Sequence, residues 1–153
     1  MQLIGFQTSA QGSQTFTGIN PRNNQALSPV FHEATHHEVD AAVRLADAAF
    51  ATCRRKSGAE KAAFLEKIAE NIQSLGEELV QTASLETGLP EARLQGERGR
   101  TVGQLRLFAQ LLREGSWVEA RIDTAQPGRQ PLPKPDLRQM QIPLGPVAVF
   151  GAS

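Results

Sequence analysis

Cysteine is nearly missing from these 153 residues: Cys53 stands alone, so no intrachain disulfide can form and nothing in the thiol count points to an oxidising compartment. An excess of either charge is missing too. Sixteen Lys and Arg offset sixteen Asp and Glu, which leaves no net field to attract nucleic acid or an anionic membrane, and neither is expected as a partner. No run approaches the roughly 20 apolar residues of a membrane span, and Met1 to Gln7 has neither the basic start nor the apolar centre of a secretory leader. A cytoplasmic location is the expectation. The Gly-x-Gly-x-x-Gly, phosphate-loop and Gly-x-Ser-x-Gly signatures do not occur, and no internal repeat is found.

What remains has the composition of a folded domain, 40% apolar and 21% charged, and the length is sufficient for one core. Residues 1 to 34 are β-like and rich in turn formers. Thr15 to Ile19 predicts a strand, Asn20 to Gln25 a turn, and Ala26 to Phe31 the returning strand. At Thr35 the period changes, because Thr35-His36-His37-Glu38 is a capping box. The helix it opens carries Val39, Ala42, Val43, Ala46, Ala49 and Phe50 as a core-facing stripe and should stop near Arg54.

Ser57-Gly58-Ala59-Glu60 is a second capping box, followed by the stripe Phe64, Leu65, Ile68, Ala69, Ile72 and Leu75. Gly76 should interrupt this helix, and a third should run to a left-handed stop at Gly88. A fourth is predicted from Pro90 to Glu114, with Gly115 beyond its end. Gly96, Gly99 and Gly103 share one face of it, each costing about 1 kcal/mol relative to Ala. That pattern predicts another backbone packed closely against them.

Beyond Ser116 the pattern turns to strand, with Trp117 to Ile122 alternating and Leu137 to Ile142 extended. Between them Pro127, Pro131, Pro133 and Pro135 exclude helix. The last apolar run, Val147 to Phe150, lacks polar alternation and predicts an interior strand of an α/β sheet. The small residues Gly151, Ala152 and Ser153 follow it, at the strand end where open α/β sheets admit ligands.

The residues with intrinsic chemistry are few. His32, His36 and His37 crowd one helix start, but they lack acidic or thiol company at ligand spacing, and neighbours on a helix diverge by roughly 100°. No metal site is expected. Cys53 sits near a helix end, where the dipole would not favour a thiolate, so packing or exposure is its expected role. The arginines of the fourth helix, Arg93, Arg98, Arg100, Arg106 and Arg113, could be read as an anion site. Helix-neighbour pairing with residues such as Glu97 is the simpler account.

Several of these stretches together resemble one known family. Ile19-Asn20-Pro21, the run Leu85-Glu86-Thr87-Gly88-Leu89-Pro90, and Pro143-Leu144-Gly145-Pro146-Val147-Ala148-Val149-Phe150 look like the N-terminal part of the aldehyde dehydrogenase superfamily. Glu86 to Phe108 is similar in particular to the branch with α-ketoglutarate semialdehyde (2,5-dioxovalerate) dehydrogenases and some NADP-dependent fatty-aldehyde dehydrogenases.

The resemblance implies an α/β fold represented only in its N-terminal part. Residues 1–116 would give the hairpin and helices of a cofactor-binding domain, 117–142 an arm of oligomerisation strands, and 143–153 the first strand of a Rossmann-like sheet. It further implies that Phe150, Gly151, Ala152 and Ser153 line the cofactor pocket of an enzyme using NADP or NAD, with none held tightly by this chain alone. In the family a cysteine thiolate attacks a small aldehyde, hydride passes to the cofactor, and a glutamate-activated water releases the acid. An asparagine amide helps to hold the oxyanion.

The asparagine belongs directly after the position matching Ser153, the cysteine and glutamate later still, and Cys53 matches neither. No catalytic residue is therefore assigned. The expectation is an inactive N-terminal portion of a semialdehyde dehydrogenase, homo-oligomeric through 117–142. A portion of a fatty-aldehyde dehydrogenase and a non-catalytic module binding full-length subunits are the alternatives.

Overall fold

The structure, a computed structural model, describes residues 1–151. Two hairpins open the chain. Strands β1 (Gln2–Ile4) and β2 (Gln7–Ser9) pair antiparallel across Gly5, whose φ of +62° suits a tight reversal. Strands β3 (Thr15–Asn20) and β4 (Gln25–His32) form the longer predicted hairpin, with Phe16 opposite Phe31 and their rings stacked at 5.5 Å. The turn closes because the Asn20 carbonyl accepts from the amides of Asn23 and Asn24, while Asn24 takes a φ of +59°.

Four helices follow: α1 (His36–Cys53), α2 (Gly58–Ser74), α3 (Gly76–Thr87) and α4 (Glu91–Glu114). Both capping boxes form. Thr35 Oγ1 accepts from the Glu38 amide at 3.2 Å while Glu38 Oε2 accepts from the Thr35 amide at 2.8 Å, and Ser57 and Glu60 reproduce both distances. Gly76, at φ +55°, separates α2 from α3, and Gly88 and Gly115 end α3 and α4 in the left-handed conformation.

The packed centre is the antiparallel pair α2 and α4. Its contact is made by Ala62 and Ala69 from one helix and Val102 and Ala109 from the other, all buried. Small side chains there let two helix backbones approach closely. At one end a Cβ on Gly58 would fall 2.2 Å from the Leu112 carbonyl oxygen. Polar bonds mark the rest of the length: Arg113 to Glu66 at 2.5 Å, Arg106 to Gln73 at 2.9 Å, and Arg98 to the Gly76 carbonyl at 2.5 Å.

Four expectations need correction. The stripe of α1 is where the periodicity put it, yet the described residues leave it largely uncovered, with Val39 and Val43 52% and 59% exposed, whereas that of α2 is buried at Ala69 and half-buried at Leu65, Ile68 and Ile72 and stays open at Phe64 and Leu75. Nothing lies within 4 Å of a Cβ built on Gly96, Gly99 or Gly103, so no backbone among the described residues packs there.

Trp117 and Val118 are not strand. Gly115 leaves α4 left-handed, the Glu114 carboxylate accepts from the Ser116 amide at 3.0 Å, and Ser116–Val118 wind into a 3-10 turn. Glu119, at φ +46°, then redirects the chain, so the arm is extended only at β5 (Arg121–Asp123), which pairs antiparallel with β6 (Leu137–Gln139). Finally, Val147 to Phe150 form no strand, and Val147, Val149 and Phe150 are 77%, 87% and 94% exposed. Strand structure is a property of a ladder, and no strand lies beside this run among the described residues.

Glu38 contributes acid sensitivity to this fold, as does Glu60, whose carboxylate is held at about 2 first by the Ser57 amide and then by the Lys56 ammonium. The buried Glu38 carboxylate is held at about 2, against an ordinary 4.5, first by the Ser9 hydroxyl and then by the Thr35 amide, with the Gln11 amide adding at 3.1 Å. A carboxyl depressed in the folded state stabilises above its unfolded value and loses that contribution as pH falls toward its folded value. Thermal stability should therefore fall progressively from about pH 4.5 towards about 2, and Glu38→Gln should remove this component of the acid response.

The glycines give a paired test by urea midpoint. Gly58→Ala should destabilise by about 1–3 kcal/mol, because the clash is with backbone that cannot step aside. Gly99→Ala, in open space within a helix, should stabilise by about 1 kcal/mol.

Candidate functional site

Of the four residues marked for cofactor contact, Phe150 and Gly151 are described, while Ala152 and Ser153 lie outside the described residues. The segment that carries them leaves the arm at Gln141, whose amide bonds to the Val118 carbonyl at 2.8 Å. Pro143 and Pro146 then exclude helix, and Gly145 turns at φ +136°. Phe150 and Gly151 are exposed, and a Cβ on Gly151 would meet nothing within 4 Å. The segment thus offers backbone donors and acceptors that no strand occupies, with no ionisable group in its own sequence from Ile142 to Gly151. Such a segment can line a pocket. It cannot move a proton or attack a carbonyl.

The other chemistry-bearing residues are scattered. His32 Nδ1 lies 2.8 Å from the Gly12 carbonyl, within the β-rich part, while His36 and His37 are exposed on the first turn of α1. Cys53 is exposed as the last residue of that helix. No group of three or more His, Cys, Asp or Glu suited to a metal ion occurs among the described residues. The arginines of α4 make the structural bonds that helix neighbours and the α2 face offer: Arg93 lies 4.0 Å from Glu97, and Arg98, Arg106 and Arg113 reach across as described. The apolar groove between α3 and α4, lined by Leu79, Val80, Ala83 and Leu94, is bordered by Glu97, Arg98 and Thr101 and contains no Cys or His.

Two of the motif stretches meet in a joint that sequence reasoning did not anticipate. Arg22, directly after Ile19-Asn20-Pro21, donates through Nη2 to Ser84 Oγ at 3.2 Å and to the carbonyls of Gly88 and Leu89 at 3.0 and 3.3 Å. Ser84 Oγ donates in turn to the Leu89 carbonyl at 2.8 Å, so the orphan carbonyls beyond α3 are satisfied by one cation and one hydroxyl. The buried Asn20 side chain steadies the turn by accepting from the Arg22 amide at 3.0 Å. Gly88 has a second task besides ending α3, because a Cβ there would stand 3.0 Å from Pro21 Cγ. The only sequence-level signal was the co-occurrence of the two motifs, since their partnership spans 62 residues at Ser84.

Comparison with known proteins agrees on one family. The aldehyde dehydrogenase family model matches residues 6–152. Over 152 residues the chain is 51% identical to alpha-ketoglutaric semialdehyde dehydrogenase 2 of Azospirillum brasilense and 50% identical to alpha-ketoglutaric semialdehyde dehydrogenase of Acinetobacter baylyi. Each alignment covers 99% of this chain, and the chain spans 29% of the length of these curated relatives. Among solved structures, an NAD-dependent benzaldehyde dehydrogenase from Corynebacterium glutamicum superposes with a TM-score of 0.72 at 25% identity, covering 81% of this chain and 26% of its own.

Removing the Arg22 guanidinium should leave the carbonyls of Gly88 and Leu89 without their charged donor. Arg22→Ala is expected to lower stability by about 1–3 kcal/mol, and Arg22→Lys, which keeps charge but not the planar guanidinium that aims Nη2 at these acceptors, to recover only part of it. Urea midpoints of the three proteins check this.

Proposed function

The chain belongs to the aldehyde dehydrogenase family, and from that premise we propose that it forms the opening part of an NAD(P)-dependent enzyme that oxidises α-ketoglutaric semialdehyde to 2-oxoglutarate. The observation that carries the substrate is the likeness, over almost the whole chain, to two relatives bearing that activity in their names. In this reading residues 1–116 supply the hairpins and helices of the cofactor-binding domain, 117–142 the arm, and 143–153 a segment that becomes the first strand of its sheet only once neighbouring strands lie beside it.

NAD(P), when bound, supplies the acceptor for the hydride that leaves the aldehyde carbon. This chain's contribution is positional. Phe150 and Gly151 present an exposed backbone free of side-chain obstruction at the glycine, which suits contact with the nicotinamide-ribose side, and Ala152 and Ser153 complete the set by resemblance. Water contributes the oxygen of the new carboxylate, and the groups that attack the carbonyl and activate water are assigned to polypeptide other than these 153 residues. Cys53, exposed at the far end of α1, takes no part.

The arm is read as an oligomerisation element. All six residues of β5 and β6 are exposed, including Ile122 and Leu137 at 67% and 54%, and a two-strand sheet has two free edges for pairing with a second copy.

Reduction of NAD(P), followed by absorbance, tests the activity. An enzyme containing this segment together with the remaining length of its relatives should turn over α-ketoglutaric semialdehyde with kcat/KM at least about tenfold above that for a long-chain aldehyde. The 153-residue chain should give no turnover. Activity of the short chain would overturn the positional role, and preference for the long-chain aldehyde would overturn the substrate. For the arm, Ile122→Asp in the longer enzyme should lower the native mass, read by light scattering, and an unchanged mass would refute that assignment.

A further inference from the structure

We draw no further inference here: the strongest candidate, the open face of helix α4 where Gly96, Gly99 and Gly103 lie beside Arg100, is a stripe of small residues for which nothing in the structure shows what covers it.

Discussion

The close approach of α2 to α4 is the constraint on which the rest of the chain depends. Alanine at positions 62, 69 and 109 and valine at 102 keep the interface thin, and Gly58 lets the start of α2 pass against the Leu112 carbonyl. With that distance set, Arg106 and Arg113 can bridge to α2 without leaving water, while Arg98 reaches the Gly76 carbonyl at the start of α3. These exposed bonds add little energy individually, so the burial of small apolar groups and the fit of the two backbones hold the pair. Everything C-terminal, from the 3-10 turn through the arm to the candidate cofactor segment, hangs from the end of α4.

A second connection places the hairpins. The Arg22 fork ties the β3–β4 turn to the end of α3, and Glu38 ties the β2–β3 connection to the start of α1 through the Gln11 amide. Both use a charged side chain to satisfy backbone groups that helix ends or irregular segments leave free. The motif residues Asn20, Pro21 and Gly88 are explained by this joint in mechanical terms, with no need of contact to substrate. A family signature can therefore mark how an element is seated as well as where chemistry occurs.

Local features were legible in the sequence. Two capping boxes, the left-handed stops at Gly88 and Gly115 and the hairpin turn at Asn20 to Gln25 are each decided within a few residues, and each formed. Features decided by distant partners were not. The periodicity of α1 identifies its apolar face but says nothing of what covers Val39 and Val43, and the three glycines of α4 record a cost without naming a neighbour. Trp117 and Val118 alternate as a strand would, but the hydrogen bonds that Ser116 donates to Glu114 and the left-handed Gly115 prevailed over that weak pattern. Val147 to Phe150 have the composition of a buried strand, and composition cannot provide the adjacent strands. Of the candidate cofactor segment, the sequence supplied the run of residues alone, and the Arg22 joint was not legible because its acceptors lie 62 to 67 residues away.

The Arg22 fork also imposes an order on biosynthesis. Its acceptors at Ser84, Gly88 and Leu89 lie 62 to 67 residues downstream, so a hairpin completed early in translation has nothing to grip until α3 has cleared the ribosome. Closing so long a loop costs entropy before any bond rewards it. Until the helices that capture it are made, a nascent hairpin has only its own short ladder and the Phe16–Phe31 stack, which is marginal support for an isolated strand pair in water.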